Sequence, residues 1–283
     1  MKPRVMSLVL FTCMVGLVIS PVKVGFINSV ISLLAVALGA GAAGALNMWY
    51  ESDLDAIMSR TCLRPIPSGK IKKFEALYFG IILTIISISL LYYVSNLTAA
   101  SLLAFTIFFY FFVYTVWLKK KTSQNIVIGG AAGALPPMIG WAISSNSITL
   151  ASFSLFLIIF IWTPSHFWAL SIYKSDDYKK AGIPMLPVTN GVNFTKKNIL
   201  AYSIFMLPAV IMPFILKFTG LIFFLPALFF TFYYIFLCFR LFLSRTNKEN
   251  LLYSRRIFIF SIFYLFSLFV LILIDNLYSI YNG

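Results

Sequence analysis

The stretch NMWYESDLDAIMSRTCLRPIPSGKIKK, residues 47–73, decides how this chain is read. It carries an apolar helix rich in small residues into acids and then into bases. Asn47, Glu51 and Asp55 lie at i, i+4 and i+8, and on a continuing helix each step turns about 40° and rises roughly 6 Å. Their side-chain oxygens then share one stripe. Asp53 falls on nearly the opposite side and must do something else. Arg60, Thr61, Arg64 and Lys70 follow in a segment stiffened by Pro65 and Pro67. Oxygen ligands suit Mg²⁺, which usually takes one or two carboxylates and completes its shell with water and phosphate. Bases beside such an ion suit the phosphate itself. The expectation is a magnesium diphosphate site at a membrane surface.

Composition sets the surroundings of that stretch. Hydrophobic residues make up 61% of the 283 positions and charged residues 11%, less than half the charged share of about 25% in a soluble domain. Apolar runs of spanning length recur along the chain, and the short alternating segments of a membrane barrel do not. The fold class expected is therefore an all-α polytopic membrane protein. Nine transmembrane helices are read at approximately 5–22, 26–48, 74–94, 98–118, 125–144, 150–173, 198–216, 219–240 and 257–276. With the N-terminus inside, all of the 22 Lys and Arg residues except Lys23 and Lys217 fall in inner segments. That bias is the positive-inside pattern and predicts an N-in, C-out orientation. The net charge of +14 is then mostly topogenic and lipid-facing, which argues against a nucleic-acid partner. Cys13, Cys62 and Cys238 show neither disulfide nor zinc spacing. Pro21 follows the first span without an A-x-A-like site, so that span reads as an uncleaved anchor.

Other stretches add candidates of unequal weight. GAGAAGALN (39–47) ends the second span in small residues that allow close packing or form a cavity wall. Tyr114 reads as an interfacial aromatic on spacing alone, and Lys119 to Lys121 as a stop-transfer cluster. In NIVIGGAAGALPPMIGW (125–141), Pro136 and Pro137 interrupt a helix at membrane depth and free backbone groups that need other partners. His166, the single histidine, lies in a span and is a functional candidate on that ground; a neutral imidazole bonded between helices is the plainer reading. Asp176 and Asp177 follow on the inner side. Two acidic loops, after spans two and six, are separated by four spans. Two four-helix halves, with a peripheral ninth helix, would bring those loops together over a central cavity within one domain covering 1–283.

The acidic stripe resembles the N-x-x-x-[DE]-x-x-x-D motif of the UbiA superfamily of intramembrane prenyltransferases. Three longer blocks, NMWYESDLDAIMSRTCLRPIPSG, YTVWLKKKTSQNIVIGGAAGALPPMIGW and WTPSHFWALSIYKSDDYKKAGIPMLPV, together with the opening KPRVMSLVLFT, are similar to its protoheme IX farnesyltransferase (haem O synthase) family. The matching segments span most of residues 2–188. The resemblance implies transfer of farnesyl from farnesyl diphosphate to a vinyl group of haem B, with addition of water, at the cytoplasmic face of a bacterial inner membrane. It implies that Asn47, Glu51, Asp55 and Asp177 hold Mg²⁺ and diphosphate, and that Arg60, Arg64, Lys70 and Lys119 contact the diphosphate. Tyr114 and His166 would line the central cavity, His166 near haem. A haem A synthase or terminal oxidase assembly is the partner implied downstream. The second acidic region lacks the repeated D-x-x-x-D of quinone-type relatives, which weakens a quinone substrate.

The chemistry agrees with the residues on its own terms. Loss of diphosphate from an allylic carbon leaves a cation, and metal with Arg and Lys can hold the departing negative charge. A cavity rich in Phe, Trp and Tyr can limit early attack by water. Serine or cysteine with a nearby base is not evident. Two other readings stay open: a prenyltransferase acting on a quinone precursor, and a transporter of a lipid or organic anion. The second explains many spans and helix breaks but leaves the acid stripe beside Arg60 and Arg64 without a purpose.

Overall fold

The computed structural model describes residues 3–58 and 61–282. Helix α1 (Pro3–Ile19) leads to α2 (Phe26–Tyr50), the short α3 (Ser52–Ile57) and α4 (Lys73–Val94). Helix α5 (Leu97–Phe108) runs on directly as a π-helix over Phe109–Leu118. Next come α6 (Asn125–Ala134), α7 (Pro136–Ser145), α8 (Leu150–Tyr173), α9 (Ser175–Lys180) and α10 (Leu186–Thr189). The chain ends with α11 (Gly191–Ile215), α12 (Leu221–Leu243) and α13 (Asn247–Asn282). No strand occurs among the described residues.

Among the described residues, eight segments are long and apolar enough to cross a membrane: α2, α4, α5 with its π extension, the α6–α7 pair, α8, α11, α12 and α13. Helix α1 is apolar as well, but its 17 residues are fewer than in any of these. The expected prolines do break one segment, since α7 begins at Pro136. Proline suits a first helical position, where its missing N–H has no partner to lose. On the outside of the bundle, α4 and α12 expose Phe79, Ile82, Ile85, Phe229, Phe232 and Phe236. So much continuous apolar surface suits lipid and not water.

Packing follows the small residues. Helices α1 and α7 cross with their backbones in contact: a Cβ on Gly16 would lie 2.1 Å from the Pro137 carbonyl, and one on Gly140 would lie 1.9 Å from that of Cys13. Gly39, in the small-residue stretch of α2, receives Leu103 of α5, so at that residue the stretch serves packing. Two apolar cores result. One joins α1, α2, α4, α5 and α7 through Val36, Leu46, Leu91, Leu103 and Ile139. The other joins α8, α11, α12 and α13 through Trp168, Met206, Tyr234, Tyr264 and Phe269.

Buried polar groups pin the ends of the second core. The sequence places Asp275 at an outer interface. In the structure its carboxylate is buried and accepts the backbone N–H groups of Gly220 (2.5 Å) and Phe223 (3.1 Å). An acid from α13 thereby satisfies the orphan donors that open α12. Toward the other end of α13, the buried Lys196 of α11 donates to the Ser244 carbonyl (2.7 Å) and to Asn250 (3.2 Å).

Candidate active site

The site forms where α2 ends. Its helix loosens at Glu51 (φ −96°, ψ 12°) before α3, yet the register survives. Glu51 N–H donates to the Asn47 carbonyl (2.9 Å), and Asp55 N–H to that of Glu51 (2.8 Å). Asn47, Glu51 and Asp55 therefore remain stacked, and all three are buried, at 1%, 3% and 3% exposure. Asp53 points away, as the spacing requires. It is exposed and pairs with Lys73 at 3.1 Å; that ammonium holds its carboxyl below the ordinary range.

Burying two carboxylates is costly unless each is matched by a charge, and each is. Lys119 Nζ lies 2.5 Å from Glu51 Oε2, and Arg64 Nη1 lies 2.6 Å from Asp55 Oδ2. Arg64 is returned to Asp55 by the compact loop after α3. There Thr61 donates through Oγ1 to the Asp55 carbonyl (2.9 Å), Ser68 N–H bonds back to Arg64, and Gly69 takes φ +75° to close the turn. A left-handed φ of that kind suits glycine. Lys119 arrives from the end of the π-helix. Its neighbours Lys120 and Lys121 are exposed, whereas Lys119 pairs with a buried carboxylate.

The arrangement leaves one acceptor over. Glu51 Oε2 takes hydrogen bonds from both Asn47 Nδ2 (2.9 Å) and Lys119, while Oε1 is buried with no partner among the described residues. Such an atom costs about 1–3 kcal/mol unless a cation or donor reaches it. The donor set thus fits a hard cation: one orphaned carboxylate oxygen, a second carboxylate and an amide, all buried on one stripe. Among the described residues no three His, Cys, Asp or Glu side chains gather as a metal cluster. Magnesium does not require three, because phosphate and water usually complete its shell.

The second acidic loop reaches the same end of the bundle. Leu54 and Met58, flanking Asp55, share a small apolar cluster with Ile126, Tyr178, Ile183 and Met185. Asp177 is half-buried in the first turn of α9, next to Tyr178. Gly182 turns that loop with φ +62°.

The remaining candidates separate. Tyr114 lies against α6, where a Cβ on Gly129 would fall 2.1 Å from its ring, and Lys119 Nζ sits 5.9 Å from the ring centroid. Lys70 is exposed, and among the described residues no side-chain hydrogen bond or ion pair holds it, to the carboxylates or elsewhere. Arg60 lies outside the described residues. His166 is buried between Trp162 (4.2 Å, stacked) and Phe258 (4.8 Å, stacked), with Nδ1 2.6 Å from Ser261 Oγ on α13. Ser261 donates its hydroxyl proton to the Phe258 carbonyl (2.8 Å). Thr115 and Ser261 touch site residues, but no sequence signal marks them. Their partners lie 68 and 95 positions away.

Comparison with known proteins shows the family. Residues 9–262 match the UbiA prenyltransferase family. The chain is 62% identical over 277 residues to the protoheme IX farnesyltransferase of Pelagibacter ubique, covering 98% of this chain and 91% of that one. It is 50% identical to the Bartonella henselae enzyme of the same name, at 97% and 88% coverage. In fold it is similar to a digeranylgeranylglyceryl phosphate synthase, with a TM-score of 0.81, 17% identity and 98% and 95% coverage. It is also similar to a UbiA homologue from Archaeoglobus fulgidus bound to DMAPP and Mg²⁺, with a TM-score of 0.68, 18% identity and 95% coverage of each chain. The chain belongs to the UbiA prenyltransferase family, within its protoheme IX farnesyltransferase group.

Proposed function

We propose that the protein transfers the farnesyl group of farnesyl diphosphate to a vinyl group of haem B, with addition of water, to make haem O. The observation that carries this reading is the orphaned Oε1 of Glu51, buried beside Asn47, with Lys119 and Arg64 on the adjoining carboxylates. The relatives' shared name supplies the two substrates. The structural relative that binds DMAPP with Mg²⁺ supports the ion.

Asn47, Glu51 and Asp55, with Asp177 from the second loop, would hold Mg²⁺. When bound, that ion neutralises diphosphate oxygens as negative charge gathers on the leaving group. Lys119 and Arg64 stand on the same carboxylates and donate to the diphosphate as its bond to the allylic carbon breaks. Arg60 and the exposed Lys70 are assigned to the approach of the anion. Tyr114 lines the cavity that shields the allylic cation from early attack by water. His166, held by Ser261 and stacked on Trp162, is assigned to the haem substrate.

The same reading includes nine spans, with α1 as the first, in one domain of two four-helix halves around a central cavity. The N-terminus lies inside and the C-terminus outside, in a bacterial inner membrane with the site facing the cytoplasm. The positive-inside bias supports the orientation. Haem O is the kind of product a haem A synthase or terminal oxidase assembly takes up.

The test is incubation of purified protein with farnesyl diphosphate and haem B, with and without Mg²⁺. Magnesium-dependent formation of a hydroxyethylfarnesyl haem is expected. Diphosphate release driven by a quinone precursor, with haem B inert, would overturn the substrate assignment.

A further inference from the structure

The π-helix at the end of α5 has a use at the site. Ten consecutive residues in this form, Phe109–Leu118, are uncommon; most π segments are single turns, and many lie at functional sites. Its wider register is visible at both positions that matter. Lys119 N–H bonds to the Tyr114 carbonyl five residues back (2.9 Å), and the Thr115 hydroxyl donates to the Tyr110 carbonyl, also five back (2.8 Å). In an α-helix a threonine hydroxyl reaches the carbonyl three or four residues back.

Thr115 is 2% exposed, and its hydroxyl proton is committed to Tyr110. The oxygen can therefore only accept, and it accepts from Asn47 Nδ2 at 3.1 Å. The second proton of that amide goes to Glu51 Oε2 at 2.9 Å. Both donors of the Asn47 amide are thus directed at acceptors. A flipped amide would set its oxygen against a carboxylate oxygen and against a hydroxyl with no proton to give. Asn47 is held in one orientation, with Oδ1 turned away from Oε2 and Thr115.

We propose that Thr115 is a positioning residue for the diphosphate site: its hydroxyl, set by the π register, fixes the Asn47 amide with the oxygen presented as a ligand for the divalent cation. This rests on the reading of Asn47 and Glu51 as the magnesium site. The π-helix then serves two side chains at once, since Lys119, which neutralises Glu51, leaves the same segment. The requirement on Thr115 is chemical and not steric. Serine keeps it, and isosteric valine removes it.

The test uses purified full-length protein and farnesyl S-thiolodiphosphate, a diphosphate that cannot turn over, titrated with and without Mg²⁺. Thr115→Val should weaken Mg²⁺-dependent binding about tenfold and Thr115→Ser less than about threefold, while Thr115→Val added to Asn47→Ala should weaken it no further. Binding without Mg²⁺ should be the same in all of them. Wild-type affinity in Thr115→Val overturns the proposal. So does Thr115→Ser as weak as valine, a loss that adds to Asn47→Ala, or a loss equal with and without Mg²⁺, which marks a packing defect. If Asn47→Ala and Glu51→Gln bind normally, the magnesium reading itself falls. If they lose binding and Thr115→Val does not, only the role of Thr115 falls.

Discussion

The chain buries carboxylates in two places, and they are satisfied in different ways. Asp275, on α13, is buried at 5% exposure and spends its oxygens on two backbone N–H groups that open α12. Glu51 and Asp55 are buried to 3%, but each is held by a base from another segment, and Glu51 keeps an oxygen with no partner among the described residues. The first is a closed account of hydrogen bonds between fixed groups. The second leaves room for a cation and offers bases that can turn to a phosphate. Burial of a charge is common to both and does not separate them. What separates them is whether the protein itself completes the coordination.

The largest effect should come from the open site. Glu51→Gln and Asp55→Asn should each lower haem O formation by at least about 100-fold, with membrane insertion unchanged on blots of the membrane fraction. Near-normal formation by either variant would erase the difference between the two regions. Lys119→Met should lower turnover by about tenfold or more, whereas Lys120→Met, one residue along and exposed, should leave it unchanged. Equal losses would return Lys119 to a topological role.

Smaller effects sharpen the comparison. His166→Ala should reduce the haem-dependent rate by about three- to tenfold, and Ser261→Ala by less, since it removes only the partner that orients the ring. Affinity for farnesyl S-thiolodiphosphate should not change in either variant; a parallel fall would tie His166 to the diphosphate end. Asp275→Ala should cost about 1–3 kcal/mol of stability by leaving the start of α12 without acceptors, read as a lower unfolding midpoint. Turnover per folded molecule should hold. Asp53→Asn, which removes an exposed pair with Lys73, should alter neither.

The legible parts of the molecule were those with a local period. Asn47, Glu51 and Asp55 repeat every four residues, and the helix keeps that register through the bend at Glu51, so the stripe could be read directly. Runs of apolar residues gave the helices, apart from the shortness of α1 and the added length of α13, whose polar first turns carry Glu249 and Asn250 inside the helix. Contacts between distant segments left no such trace. Lys119 looked topogenic because two true surface lysines follow it. Asp275 looked interfacial because its partners are backbone groups, which no side-chain pattern reveals. The π register, which places Thr115 on Asn47, depends on backbone geometry within an apolar run whose residues suit an α-helix equally well.

The most direct test of the central claim is the mass of haem extracted from cells that lack their own haem O synthesis and express either this chain or its Asp55→Asn variant. A haem B derivative heavier by one farnesyl group and one hydroxyl group is predicted with the native chain and not with the variant. Its absence from the first, or equal amounts in both, would contradict the account.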